Sequence, residues 1–376
     1  MRRLALLVAA LAALPSAARG QGTLSTQGFG YPAGQISARA LGTGGALAES
    51  DPLSVSNPAS ILNLGGAALY FQAEPEYRTI TRGAASEHTT IARYPLVVAA
   101  VPLTDEVTLG FSVSNLLDRT FQTTTRASQP LSDGAVTSTS TFKSDGAMGD
   151  ARLALAWMPR PWLRLGVAGH AITGDNRLRN AQQFDDSLRF AAILDTSTVG
   201  FTGSAYSGGV ELLLNRVGSL AASYRRGGSL SLKRGDTTLA TANVPDRISF
   251  GAAFLGLRGT AIGVRASRDS WSSMRGLGSR TLRITDDWDT SVGADVIGPR
   301  IASYNIQLRA GARARTLPFG TSLSSVRERS LSFGAGSLLA RGRAALDVTG
   351  IRATREATGS IGEAAWTMSI GLTVRP

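Results

Sequence analysis

The chain contains no cysteine, so neither a disulfide framework nor a thiolate metal site is open to it. Histidine is almost missing as well. His88 and His170 stand alone, with no His or Cys neighbour at ligand spacing, and no metal site is expected. Lysine occurs only at Lys143 and Lys233. The 39 basic residues that outnumber 27 acidic ones are therefore nearly all arginine. They are scattered along the chain, and no basic run interleaves with aromatics, which argues against a nucleic-acid partner. Arginine so distributed suits a membrane surface carrying phosphates. No stretch after the N-terminus reaches the roughly eighteen uninterrupted apolar residues of a membrane helix. Enzyme signatures are missing too: there is no Gly-x-Ser-x-Gly elbow and no His-Glu-x-x-His helix. Gly42-Thr43-Gly44-Gly45 follows no strand, so it is no dinucleotide loop, and Asp286, Asp287 and Asp289 lack the full spacing of a calcium loop. No enzyme and no cofactor are expected.

Among the features present, Met1-Arg2-Arg3 gives a positive start and Leu4 to Leu14 an apolar run. Pro15 breaks that run before the small residues Ser16, Ala17 and Ala18. This is the layout of a secretory signal peptide, assigned to residues 1–20, with cleavage after Ala18 or Gly20. The run is too short to cross about 30 Å of hydrocarbon as a helix.

From about residue 66 the pattern has period two. Trp366, Met368, Ile370, Leu372 and Val374 alternate with Thr367, Ser369, Gly371, Thr373 and Arg375. A strand sends alternate side chains to opposite faces, so one face is greasy and the other polar. A soluble sandwich would alternate as well. Spacing separates the two. About fourteen segments of some ten residues recur, the length of a tilted membrane strand. They fall near 66–76, 88–101, 105–117, 149–158, 161–172, 203–214, 217–226, 245–256, 259–268, 288–297, 302–313, 328–339, 342–353 and 363–375. Short connections such as Pro159-Arg160, Asn215-Arg216 and Ala340-Arg341 alternate with long polar stretches, 118–148 and 173–202 among them, which are expected to be loops. That rhythm predicts an all-β fold: a closed antiparallel transmembrane β-barrel of about 14 strands over 66–376, in the outer membrane. Arg152, Arg164, His170, Glu211, Arg225, Arg247, Arg265, Asp295, Arg309, Arg313 and Asp347 share the polar parity and are expected to face the lumen. There they either pair with one another or contact a ligand; the sequence leaves both open.

Residues 21–65 are rich in Gly, Ala, Ser and Pro. Ser37-Ala38-Arg39-Ala40-Leu41-Gly42-Thr43-Gly44-Gly45-Ala46-Leu47-Ala48-Glu49 leads on to Asn57-Pro58-Ala59. This resembles the N-terminal hatch of the FadL/TodX family of outer-membrane transporters of hydrophobic compounds. Ser223-Tyr224-Arg225-Arg226, Pro245-Asp246-Arg247-Ile248-Ser249-Phe250-Gly251, Asp269-Ser270-Trp271-Ser272, Leu308-Arg309-Ala310-Gly311 and Ser330-Leu331-Ser332-Phe333-Gly334-Ala335-Gly336 are similar to later landmarks of that family, in order. The resemblance implies a fourteen-stranded barrel plugged by residues 21–65, with Gly44, Gly45, Asn57, Pro58 and Ala59 in the hatch. It also implies passive uptake of a hydrophobic small molecule, long-chain fatty acid-like, that leaves sideways near a distorted early strand. Pro95 lies inside the second segment and cannot donate a ladder hydrogen bond, so a break is predicted there. Arg309 or Arg313 could pair with a ligand carboxylate. The compact chain also resembles the PorV-like branch, which implies the alternative: a non-transporting partner in protein secretion or surface attachment. Expected partners are outer-membrane lipid and lipopolysaccharide, the hydrophobic ligand and the barrel-assembly machinery, with the barrel acting as a monomer.

Overall fold

A computed structural model describes residues 24–376 apart from 84, 132–133, 216, 279–281, 287, 302–303, 322–323 and 358–360. The signal peptide at 1–20, Arg216 of one short turn and Asp287 lie outside the described residues. In chain order the strands are β1 (Ala68–Arg82), β2 (Ala85–Pro102), β3 (Val107–Asp118), β4 (Phe121–Leu131), β5 (Gly134–Arg160) and β6 (Leu163–Phe184). There follow β7 (Ile193–Leu214), β8 (Gly218–Arg234), β9 (Thr237–Asn243), β10 (Arg247–Leu257), β11 (Thr260–Asp269) and β12 (Leu282–Ile284). The last are β13 (Trp288–Ile301), β14 (Tyr304–Thr321), β15 (Ser324–Leu339), β16 (Ala344–Glu356) and β17 (Ile361–Val374).

Each wall strand pairs antiparallel with its neighbours, and β1 pairs with both β2 and β17. The ring is therefore closed. Fourteen strands build it, while β4, β9 and β12 only prolong one end. Closure leaves no row of unpaired N–H and C=O groups to face hydrocarbon, where each would cost several kcal/mol.

The alternation read from the sequence is the in–out alternation of this wall. In β17, Trp366, Met368, Leu372 and Val374 are exposed while Ser369 and Thr373 are buried. Outward aromatics form two girdles: Trp157, Trp162, Phe254 and Tyr304 near the short turns, and Tyr77, Tyr94, Tyr206, Tyr224 and Trp366 further along their strands. Such paired girdles bound the lipid-facing belt of a membrane barrel.

One expectation fails. The stretches 118–148 and 173–202 are mostly strand, not loop: β4, the first half of β5, and the outer halves of β6 and β7. Their Thr-, Ser- and Val-rich alternation suits a pleated surface. Beyond the bilayer a ladder needs no greasy face, so a hydropathy reading ends where the lipid ends although the hydrogen bonds continue.

Candidate functional site

Residues 24–64 lie inside the ring. Helix α1 (Ala38–Gly42) is N-capped by Ser37, whose side chain accepts from the Ala40 N–H, and it packs on β14 to β17. A 3-10 turn, η1 (Pro58–Leu64), is N-capped by Asn57 and ends at Gly65, whose φ of 65° is left-handed. It packs on β2, β3, β5, β6 and β7. Between them Glu49 reaches β8, β10 and β11. The segment thus braces opposite walls as a plug.

Glycines on both sides permit this approach. A Cβ at Gly209 of β7 would stand 1.9 Å from Asn57 Oδ1, and one at Gly311 of β14 would stand 2.0 Å from the Thr43 carbonyl carbon. On the plug side, Gly44 (φ 69°) passes so close to β14 that a Cβ would lie 2.8 Å from the Ala312 carbonyl oxygen, while Gly45 (φ 88°) makes the next turn. Only glycine adopts such angles without penalty. Asn57 joins plug to wall through its amide, donating to the Glu49 carbonyl at 3.1 Å and the Val210 carbonyl at 3.2 Å, while its oxygen accepts from the Ala59 N–H at 3.0 Å. Pro58 takes the first helical position, where a missing N–H is harmless, and Ala59 is fully buried.

Glu49 makes a charged plug–wall contact. Its buried carboxylate accepts from Ser223 Oγ (2.8 Å), Ser249 Oγ (2.7 Å) and Arg265 Nε (3.1 Å). In the sequence it is merely the acid of the plug motif. Nothing local marks it as the partner of an arginine 216 positions away.

The polar-parity residues all turn inward, and the structure gives them neighbours. Arg152 donates to the Val55 carbonyl of the plug. Arg164 and Asn63 meet Glu211, at 3.1 and 2.9 Å. His170 stands 2.9 Å from Asp150 and 2.9 Å from Ser207. Arg225 and Arg247 share Asp269 at 3.2 and 3.1 Å. Arg313 binds Asp289 at 2.8 Å, with Arg265 3.7 Å away from the same carboxylate. Arg309 is spread over Asp295 (3.0 Å), Asp347 (2.6 Å) and Gln307 (2.8 Å). Internal pairing is therefore what these charges do. Arg309, buried and held on three sides, is badly placed to receive a ligand carboxylate, whereas Arg313 lines a cavity.

A second cluster was not legible as a site. Tyr31 of the plug is ringed by Arg78, Arg93, Arg315 and Arg355, whose guanidinium carbons lie 4.8–5.7 Å from its ring centroid. Its hydroxyl accepts from Arg315 and Arg355 and donates to Glu328 at 3.0 Å. Glu76, Asp118 and Glu363 complete the neutralisation. These residues come from the plug and seven wall strands, β1 to β3 and β14 to β17, so only the closed ring assembles them.

Beside this cluster the wall is interrupted. Pairing of β2 with β3 runs only from Leu96–Ser114 to Pro102–Thr108, and on its other flank β2 slips register against β1 opposite Tyr94 and Pro95. Proline has no N–H to give the ladder, which is why the irregularity falls here. Past the break the plug takes β2's place: Tyr31 and Asp118 exchange two backbone hydrogen bonds of 2.8 and 2.9 Å. Gly34 (φ 93°) presses on the same spot, where a Cβ would lie 2.8 Å from that of Pro95. Inside lies a cavity of about 120 Å³, lined by Ile36, Leu116 and Trp271 on one part and by charged residues, Glu74, Arg93 and Arg313 among them, on the rest.

Toward the end away from the short turns the lumen turns apolar. Phe29, Leu116, Met148, Phe201, Trp271 and Phe319 belong to one buried cluster, with Phe29 and Phe319 centroids 4.5 Å apart. Arg119, just beyond β3, sits between Phe29 and Phe201 at 4.7 and 5.1 Å. Burial lowers its pKa to about 10, so it stays charged at neutral pH. Among the described residues no carboxylate pairs with it, and its Nε has no hydrogen-bond partner.

No known family profile matches the sequence, and no curated protein matches it. Solved structures do match in fold. A FadL homologue from Pseudomonas aeruginosa is 12% identical, covers 92% of this chain and 99% of its own, and gives a TM-score of 0.62. The monoaromatic hydrocarbon channel CymD (12% identity; 91% and 97% covered) gives 0.55. The P. putida toluene transporter TodX (11%; 88% and 98%) also gives 0.55. The chain has the fold of the FadL/TodX barrels.

Proposed function

We propose that this FadL-fold barrel is an outer-membrane channel for passive uptake of hydrophobic small molecules, with residues 24–64 as its gate and the seam at Pro95 as its sideways exit. One observation carries the reading: the plug itself completes the wall where β2 leaves β3, and the cavity adjoins that place. A ligand would enter through the apolar cluster, whose methionines adapt to varied shapes. It would then pass to the cavity and leave toward lipid when Tyr31 and Gly34 withdraw. The short turns face the periplasm and the strand extensions face outward, as in other outer-membrane barrels.

Size narrows the ligand. A void near 150 Å³ holds one benzene-sized molecule. The cavity, about 120 Å³, therefore has room for a single small ring and less volume than a long-chain acid such as the resemblance suggests would need. Arg119 offers the unpaired charge that a carboxylate-bearing ligand would need. The PorV-like alternative, a secretion or attachment partner, has no use for a wall break sealed from within.

The absence of cysteine makes a clean test available. Ser50 of the plug and Ser219 of β8 bring their Oγ atoms to 3.3 Å, so S50C/S219C can form a disulfide in an otherwise thiol-free chain. Cells carrying the oxidised variant should stop taking up a labelled monoaromatic hydrocarbon and resume on reduction. Uptake indifferent to the bridge would exclude a moving plug.

A further inference from the structure

The channel leaves one sequence feature unused. At the short-turn end, strand after strand finishes at or beside an arginine: Arg160 closes β5, Arg258 follows β10, Arg300 is the last residue but one of β13, Arg341 and Arg343 lie in and just after the turn between β15 and β16, and Arg375 follows β17. Arg160, Arg258, Arg300, Arg341 and Arg343 are exposed, and none has a carboxylate within ion-pair distance among the described residues. The turn after β2, with Asp105 and Glu106, is the one acidic gap. Most lumen arginines, Arg119 and Arg152 excepted, are by contrast neutralised in pairs and clusters. A good part of the chain's formal excess of +12 therefore sits unbalanced on this rim.

Turn chemistry does not explain the choice. Ala340 and Arg341 adopt φ values of 48° and 58°, where Asn or Gly is the ordinary occupant. The rim also adjoins the lower aromatic girdle: Trp162 is exposed two positions after Arg160, and Tyr304 follows Arg300 across its turn. Aromatic rings settle at the headgroup level of a bilayer. Guanidinium groups at the same level meet phosphates, which they bind with paired donors.

We infer that this arc of arginines is a binding collar for anionic phospholipid headgroups in the leaflet on the short-turn side, phosphatidylglycerol being the simplest of that class. The inference rests on the membrane placement and not on the channel activity. Where the collar binds, anionic lipid collects around the barrel and the short-turn rim is held at a fixed depth.

The test uses the full barrel in phosphatidylethanolamine vesicles containing a minority of phosphatidylglycerol, with one or the other lipid brominated. Quenching of Trp162 is read as the difference between the protein and its W162F variant. Brominated phosphatidylglycerol should quench at roughly a third of the bulk fraction that brominated phosphatidylethanolamine requires, a few-fold preference in keeping with several basic groups at an anionic surface. The preference should fall to parity in R160Q/R258Q/R300Q/R341Q/R343Q and in about 1 M salt. It should fall partway in R341Q/R343Q and persist in R327Q/R329Q, which alters the opposite end. Unchanged heat-modifiable gel mobility certifies that each variant is folded. Parity in the unaltered protein, or a preference that survives loss of the five arginines, overturns the collar. Neither outcome touches the uptake experiment.

Discussion

Removing the Glu49 carboxylate should free the plug without unfolding the wall. In Glu49→Ala three donors lose their acceptor at once: Ser223, Ser249 and Arg265. Arg265 suffers most. It is buried, its Nη atoms already lack hydrogen-bond partners, and its remaining carboxylate, Asp289, stands 3.7 Å away and is held by Arg313. Breaking one side of a buried ion pair costs about 3–5 kcal/mol. The barrel's own ladder contains no Glu49 bond, so the loss falls on the equilibrium between seated and unseated plug. At about 1.4 kcal/mol per factor of ten, the unseated population should rise a hundredfold or more. Planar-bilayer recordings should change from closed baselines to frequent openings, and protease added from the short-turn side should cut within residues 24–64. Glu49→Gln, which keeps a hydrogen-bonding oxygen for the serines but no charge for Arg265, should fall between. Silent recordings from Glu49→Ala, with normal gel mobility and full protection from protease, would refute the latch.

Three further perturbations probe the same architecture. Gly209→Leu or Gly311→Leu forces side chains into space held by Asn57 or Thr43, and should open the pore while leaving thermal unfolding of the wall within a few degrees of the parent; a closed pore would show that the plug does not need these approaches. Tyr31→Phe removes a hydroxyl joined to Arg315, Arg355 and Glu328 while keeping the ring. At about 1.5–3 kcal/mol per hydrogen bond to a charged group, amide exchange at Tyr31 and Asp118 should quicken at least tenfold. Arg119→Gln should weaken binding of an aromatic carboxylate about tenfold, by calorimetry, and leave a neutral aromatic unaffected; equal effects on both would remove its role in charge recognition.

Much of the barrel could be read because its physics is local. Each lipid-facing residue in β17 meets the same solvent at the same spacing, so Trp366 to Val374 announce themselves without reference to the rest of the chain. Pro95 was readable for a similar reason: a residue lacking an N–H disturbs any ladder containing it. Pairings in the lumen were not readable. Glu49 and Arg265, or Tyr31 and Arg355, become neighbours only when a plug is enclosed by a finished ring. Parity could turn Arg309 inward but could not tell that Asp295 and Asp347 would hold it there. The strand extensions escaped because threonines such as Thr139 and Thr141 continue a sheet without any greasy face to give it away.

The seam between β1 and β17 sets terms for how the molecule is made. Leu69 meets Val374, so the earliest wall residues wait for nearly the last. Contacts so remote in sequence form slowly, since a long loop must close before any reward arrives. Until then β1 offers a bare edge to any passing strand, the ordinary starting point of aggregation. A still-open sheet curling around residues 24–64 would give each new strand something to lie against before its ladder partner arrives.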